Sequence, residues 1–290
     1  MKLLKSPRLL LSAAMLIFGT IGVFVRNIPA YAGEIALYRA VMAAVILGVF
    51  FLITGQKIPF KSIKKEIPLL LFSGMAMGVN WILLFESYNY TTVSVATLSY
   101  YFAPVIVTVV CPFLFKEKLT AMQIVCFVAS TAGIVMITGT GDMSQGSDHL
   151  KGILLALGAA VLYATVILIN KFIKNVEGLH RTFLQFIAAI VILVPYVSVT
   201  SGVTVGTMNA GGWICLVIVG VLHTGVTYCL YFSSLKDISG QKAALLSYID
   251  PLVAVVISVF VLGEPITILQ IAGGLLVLGF TLWNELGQDV

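Results

Sequence analysis

Two ionisable side chains, Asp250 and His223, lie inside long apolar stretches of the sequence. A charged carboxylate near the centre of a bilayer is costly unless it is hydrated or paired, so such groups usually mark a substrate or ion pathway. Asp250 is therefore predicted to bind a cationic or zwitterionic substrate or an exchanged proton, and His223 to contact substrate or relay protons. The alternatives are a structural ion pair or a protonated, hydrogen-bonded Asp250, and a hydrogen-bonded packing role for His223.

Aromatic residues with polar groups occur at corresponding positions of two similar stretches. Asn80 and Trp81 lie 147 residues before Thr227 and Tyr228, and the same offset relates Tyr101 to Tyr248. Rings of this type can stack against cationic or aromatic compounds, although each ring alone is more often part of the packing. The symmetry predicts one cavity whose substrate-binding residues are Asn80, Trp81, Tyr101, His223, Tyr228, Tyr248 and Asp250.

Two prolines in apolar runs, Pro104 and Pro251, should kink their helices, because proline lacks the backbone donor and clashes with the preceding turn. A third set of polar residues, Glu34, Arg39 and Glu86, falls on one predicted side of the membrane. These three are predicted to form an external gate, with snorkelling to the interface as the alternative. Aromatic residues near span ends are expected to anchor the chain among lipid headgroups, namely Tyr88, Tyr90 and Trp283.

The composition requires lipid as the solvent. Hydrophobic residues make up 60% of the 290 residues, charged residues make up 10%, and the mean hydropathy is +1.07. The four cysteines lie in apolar runs without paired spacing, so neither a disulfide framework nor a metal site is expected. No motif for phosphate binding, zinc binding or nucleophilic catalysis is present, and the basic residues form no nucleic-acid-binding stripe. We expect no cofactor and no enzymatic activity.

Apolar runs of about 20 residues match the thickness of a bilayer and predict ten helical spans. The predicted spans are 8–25, 33–53, 67–87, 92–115, 119–138, 150–173, 179–199, 210–234, 239–262 and 266–283. With both termini cytoplasmic, 14 of the 17 basic residues fall on the inner side, as the positive-inside rule demands. A multi-pass protein of the cell membrane is expected.

The chain divides into two similar halves. Alignment of Pro104 with Pro251 also pairs Thr120 with Thr267 and other identical positions. Five spans in each half would insert the halves in opposite orientations, an arrangement common among secondary transporters. The predicted fold is all-α, with ten transmembrane helices as two inverted five-helix repeats around a central cavity. The predicted units are residues 1–140, a connecting loop at 141–149, and residues 150–290.

The stretch around Pro251, with the Gly263–Glu264 pair before the last predicted helix, resembles EamA-type members of the drug/metabolite transporter superfamily. The first half departs from the pattern, since Lys116 precedes Glu117. The resemblance covers essentially the whole chain and implies ten helices around a cavity, with substrates that range from amino acids and nucleotide-linked sugars to amines and drugs.

We therefore expect a secondary active or facilitative transporter, an exporter of a small polar metabolite such as an amino acid or amine, working by alternating access. Protons are the candidate coupling ion, and the protein is expected to be a monomer or homodimer. The alternatives are a channel or ligand-binding membrane sensor and, with less support, an intramembrane enzyme acting on a lipid. The latter would need more ionisable residues at one depth than Asp250 and His223.

Overall fold

The computed structural model describes residues 6–58, 63–115, 120–139, 146–176, 178–200, 204–235 and 246–287, and within this part of the chain the regular structure is helical throughout. The helices of the first half are α1 (Pro7–Gly19), α2 (Ile21–Arg26), α3 (Ala32–Thr54), α4 (Ile67–Ser87), α5 (Val93–Tyr100), α6 (Ala103–Phe115) and α7 (Ala121–Gly139). Those of the second half are α8 (Gly146–Asn170), α9 (Gly178–Thr200), α10 (Ala210–Val217), α11 (Thr227–Leu235), α12 (Ile249–Phe260) and α13 (Ile268–Gly287).

Seven described segments are long and apolar enough to cross a membrane. They are Pro7–Arg26, Ala32–Thr54, Ile67–Ser87, Val93–Cys111, Asp148–Asn170, Gly178–Thr200 and Ala210–Ser234. Three shorter apolar helices, Ala121–Ile137, Ile249–Phe260 and Ile268–Trp283, fall within the other predicted spans. A membrane protein with many apolar helices is thus confirmed, and ten spans stay a prediction.

The outer surface of the bundle is apolar. Five large hydrophobic side chains are each at least 80% exposed, namely Leu52, Ile53, Val199, Phe260 and Ile268. Exposure of such an apolar surface to water is unfavourable, whereas lipid chains solvate it well. Some charged side chains are buried within the bundle instead, among them Glu34, Arg39 and Glu66.

Helices of the two halves interleave. Helix α4 packs between α8 and α9, while α1 packs against α11 and α12. Gly74 and Gly78 allow α4 to approach α9 closely, since Gly74 faces Gln185 and Ala188, and Gly78 faces Ala189 and Leu193. The space between the halves is therefore bounded by helices from both.

The two halves repeat fine structural details at the 147-residue offset. In one, Thr120 and Gln123 cap a helix reciprocally, with backbone-to-side-chain distances of 2.9 and 3.2 Å. Thr267 and Gln270 form the same pair at 2.9 and 3.2 Å. Such a capping box satisfies two backbone donors at a helix start. Identical caps at corresponding positions support the division of the chain into two related halves.

The structure adds three details that the predicted spans and connecting loop did not contain. Helix α8 begins at Gly146, within the predicted connecting loop 141–149, and Asp148 in its first turn favours the helix because it interacts with the amino-terminal dipole. The predicted span 92–115 is broken between α5 and α6. A π-helix, Ile218–Val226, joins α10 to α11 in the predicted span 210–234.

Candidate functional site

A cavity of about 480 Å³ lies between the two halves. Most of the predicted substrate-binding residues line it, so the structure brings together side chains that are far apart in sequence. These residues are Asn80, Trp81, Tyr101, Tyr228, Tyr248 and Asp250. The cavity wall also contains Arg39, Tyr88, Tyr100, Tyr163 and Lys171.

Asp250 and Tyr101 meet where two helices are interrupted. The first break follows α5 at Tyr101 and Phe102, just before Pro104, and the second lies at Tyr248, just before Pro251. The Tyr101 hydroxyl donates to Oδ2 of Asp250 over 2.7 Å. Within the described chain this is the only hydrogen bond to the Asp250 carboxyl group, so Oδ1 can accept a hydrogen bond from a ligand in the cavity. The paired breaks thus place a carboxylate at the cavity wall.

Three buried glutamates, Glu34, Glu66 and Glu264, differ from Asp250 because each accepts a hydrogen bond from the backbone of a distant segment. Glu66 accepts from the backbone nitrogens of Lys174 and Asn175 at 2.9 and 3.1 Å. Glu34 accepts from the backbone nitrogen of Thr204 at 2.6 Å and from the Thr204 hydroxyl. Carboxylates that accept several such bonds are structural, since their removal would leave buried donors without partners.

Glu264 closes one end of the bundle. Gly263 has φ +65°, a left-handed conformation that favours glycine, and the turn brings Glu264 to the start of α5, where Oε2 accepts from the Val93 nitrogen at 2.8 Å. Its Oε1 pairs with Arg26 at 2.9 Å. The same Arg26 nitrogen donates to the carbonyls of Tyr88 and Thr91 at 2.7 and 3.1 Å. The Tyr88 side chain lines the cavity, so this ion pair lies next to the cavity wall.

Arg39 was predicted to belong to a gate but lines the cavity instead. Its Nε donates to Thr224 Oγ1 at 2.7 Å, and its Cζ lies 4.3 Å from the centroid of the Trp81 ring. Thr224 in turn donates to the carbonyl of Val219, five residues earlier, as the π-helix allows. The wider helical turn thereby directs an acceptor toward Arg39.

The predicted gate of Glu34, Arg39 and Glu86 is not assembled. Glu34 holds Thr204, and Glu86 accepts from the Asn89 amide at 3.3 Å. Neither glutamate is among the residues that line the cavity. The sequence placed all three residues near one membrane face, but it could not show that they have different neighbours. Hydropathy carries no information about which helices pack against each other.

His223 also differs from the prediction, since it is fully buried outside the cavity wall. Its Nε2 lies 2.8 Å from the Thr20 hydroxyl, and its Nδ1 lies 3.2 Å from the Ile218 carbonyl. The ring also packs 5.1 Å from Phe24. With both ring nitrogens engaged within the bundle, His223 holds α1 and α2 against the π-helix rather than contacting the cavity.

The aromatic wall joins the two halves. Trp81 and Tyr228 contact the same ring, Phe186, at centroid distances of 5.6 and 5.5 Å. Asn80 is fixed by its amide, which donates to the Ala159 carbonyl at 2.5 Å. Asn80 therefore orients the wall as well as lining it. Of the positions related by the 147-residue offset, five thus face one space, namely Asn80, Trp81, Tyr101, Tyr228 and Tyr248, whereas Thr227 is fully buried outside the cavity wall.

Several cavity residues escaped the sequence prediction. Tyr88 was expected at the lipid interface but is buried in the cavity wall. Tyr100 and Tyr163 stack at 5.3 Å and also line the cavity. Tyr163 lies 145 residues after Phe18, close to the 147-residue offset of the two halves, and both side chains line the cavity.

Comparisons with known proteins match the chain to one family model, to uncharacterized transporters and to a solved structure. The family described as the EamA-like transporter family matches residues 6–139 and 150–284. Uncharacterized transporter YxxF of Bacillus subtilis (strain 168) is 33% identical over 84% of this chain and 78% of its own length. An uncharacterized transporter of Archaeoglobus fulgidus is 25% identical over 96% and 95% of the two chains. One crystal structure shares the fold, with 15% identity, a TM-score of 0.68 and coverage of 98% and 99%.

Proposed function

Because the chain belongs to the EamA-like transporter family, we propose that it is a secondary transporter, active or facilitative, which exports a small polar metabolite such as an amino acid or amine. The observation that carries this proposal is the cavity between the halves, with the Asp250 carboxylate and several aromatic rings in its wall. Intramembrane carboxylates at a cavity wall commonly bind cationic groups or protons.

The proposed roles follow from the contacts. Asp250 binds the ammonium group of the substrate or the coupling proton, and Tyr101 orients the carboxylate through its 2.7 Å hydrogen bond. Trp81, Tyr228 and Tyr248 offer ring faces to the apolar part of the substrate. Asn80 keeps its helix in register with α8 through the Ala159 carbonyl.

Alternating access is supported by the unequal ends of the cavity. One end extends to Lys171, which is exposed, whereas Arg26 and Glu264 hold the opposite end closed beside Tyr88. In the predicted topology Lys171 is cytoplasmic, so the arrangement corresponds to a carrier open to the cytoplasm. Loading from that side suits export, and separation of Arg26 from Glu264 would open the other side.

The test is counterflow in proteoliposomes. Vesicles loaded with unlabelled amino acids and amines should accumulate the labelled compound transiently when the protein exchanges it. Asp250→Asn should reduce the exchange at least tenfold, whereas Asp148→Asn, which alters an exposed aspartate at the start of α8, should leave it unchanged. An absence of counterflow across the panel, or flux without saturation, would contradict a carrier.

A further inference from the structure

The Arg39 guanidinium is a buried cation in the wall of the cavity. Only 5% of the residue is exposed, yet it is one of the cavity-lining side chains. The ion pair identified among the described residues joins Arg26 to Glu264, so Arg39 has no carboxylate partner in this part of the chain. An uncompensated charge at this depth is unfavourable unless a ligand or water balances it.

The hydrogen-bonding capacity of Arg39 is mostly unused. A guanidinium group carries five N–H donors, and here Nε is engaged with Thr224 at 2.7 Å. The described residues supply no acceptor to its two terminal nitrogens. Those nitrogens form the fork that matches a carboxylate or phosphate in a bidentate pair. The available donors thus suit an anionic group that enters the cavity.

Two aromatic rings hold the guanidinium in place. Its Cζ lies 4.3 Å from the Trp81 centroid and 5.5 Å from that of Phe85, and both rings also line the cavity. Stacking and the Thr224 bond together fix the plane of the group, so little side-chain entropy is lost on binding. The guanidinium is therefore prepared for a ligand rather than free to snorkel.

We propose that Arg39 binds the carboxylate of the substrate, and that the substrate is a zwitterion with a free carboxylate and an ammonium group. This inference rests on the transport function proposed above, in which Asp250 receives the ammonium group. Arg39 and Asp250 lie on the wall of one cavity without forming an ion pair with each other. A zwitterion would balance both charges at once, whereas an amine would leave Arg39 unbalanced.

The experiment measures ligand binding to the purified full-length protein by calorimetry and thermal shift. The probes are L-leucine and L-phenylalanine, their methyl esters, and isopentylamine and phenethylamine, so that each pair differs at the carboxylate. The unaltered protein should bind the free acids at least about tenfold more tightly than the esters or amines. Arg39→Gln should abolish that preference and leave ester and amine binding within about twofold. Arg39→Lys should restore part of it, because lysine keeps the charge without the planar fork.

Two further variants keep the result interpretable. Arg8→Gln makes the same chemical change at an exposed arginine and should leave every affinity unchanged. Thr224→Val removes the acceptor of Nε while retaining the guanidinium, and it should weaken free-acid binding alone by several-fold, which tests the proposal even if Arg39→Gln does not fold.

Equal binding of acids and esters by the unaltered protein would overturn the proposal, as would an equal loss of all ligands in Arg39→Gln. If amines are exchanged as well as the corresponding amino acids, only the proposed role of Arg39 is wrong, and the transport function stands. Absence of counterflow for every probe would instead remove the transport function.

Discussion

Asp250 and Glu66 are both carboxylates of an apolar bundle, but they accept different hydrogen bonds. Glu66 receives backbone donors from Lys174 and Asn175 and also the Asn175 amide at 2.8 Å. Asp250 receives one hydroxyl, from Tyr101. Backbone donors cannot find another partner when the carboxylate is lost, whereas a tyrosine at a cavity wall can be hydrated. The two residues should therefore respond oppositely to neutralisation.

We expect Glu66→Gln to lower the unfolding temperature by several degrees while preserving most of the flux, since hydrogen bonds to a charged group contribute roughly 1.5–3 kcal/mol each. Asp250→Asn should preserve the unfolding temperature and abolish most of the flux. Thermal unfolding in detergent and counterflow on the same preparations check both outcomes. A large loss of stability in Asp250→Asn would indicate that its carboxylate is structural.

Residue chemistry alone could point to a side chain of the cavity wall, whereas the surroundings of other residues were decided by packing. A carboxylate in an apolar run identified Asp250 as a cavity candidate because burial of a charge needs a reason. The same reasoning placed His223 in the cavity, but a histidine can be neutral, and Thr20 and Ile218 satisfy both of its nitrogens. Arg39 was noticed but assigned to a gate, because the sequence does not show that its neighbour is Trp81.

At the level of elements, the Arg26–Glu264 pair joins the end of α2 to the turn before α13 and to the start of α5. Arg26 also holds the segment after α4 through two carbonyls. Together the two side chains thus connect four elements on this side of the cavity. Loss of Arg26 should free that side without removing the bond from Glu264 to the Val93 nitrogen.

We predict that Arg26→Gln raises the access of the cavity from the closed side. The reporter is Thr97→Cys, at a position that lines the cavity. Its reaction with an impermeant thiol reagent added outside should be about tenfold faster in Arg26→Gln. A charge-assisted contact of this kind shifts a two-state equilibrium by about tenfold. Arg8→Gln provides the control in the same background. An unchanged labelling rate would mean that Arg26 does not hold the cavity closed.

The helix interruptions could be located from the sequence because proline acts through local geometry. The structure places them at Tyr101 and Tyr248, a few residues before Pro104 and Pro251. The π-helix was not anticipated, since no residue type specifies it. Its wider turn lets the Thr227 hydroxyl donate to the Leu222 carbonyl, five residues earlier, at 2.6 Å, and the π-helix packs against α3.

At the scale of the whole molecule, the repeated capping boxes and the matches of both halves to one family establish two related units. Their opposite insertion remains a proposal based on charge. The loop after α3 contains Lys57 with Lys61, Lys64 and Lys65, whereas the corresponding loop of the second half, residues 201–209, contains no basic residue. The positive-inside rule places the two loops on opposite sides.

Labelling of these corresponding loops tests the inversion. Gln56 and Thr207 are both exposed and can be replaced by cysteine, one at a time, in a variant without the four native cysteines. In intact cells an impermeant maleimide should label Thr207→Cys and spare Gln56→Cys until the membrane is permeabilised. Equal labelling of both before permeabilisation would place the loops on one side and contradict inverted halves.

The π-helix determines the direction in which the side chains of the following helix, α11, point around the helix axis. Each residue of an α-helix advances the chain by about 100° around the axis, more than a residue of the wider π-helix, so rewinding Ile218–Val226 as an ordinary α-helix of the same length would rotate the downstream face. Tyr228 would then lose its contact with the Phe186 ring, and Thr224 would no longer accept the hydrogen bond from Arg39. The wider winding thus keeps the cavity-lining ring of Tyr228 and the acceptor for the Arg39 guanidinium aligned.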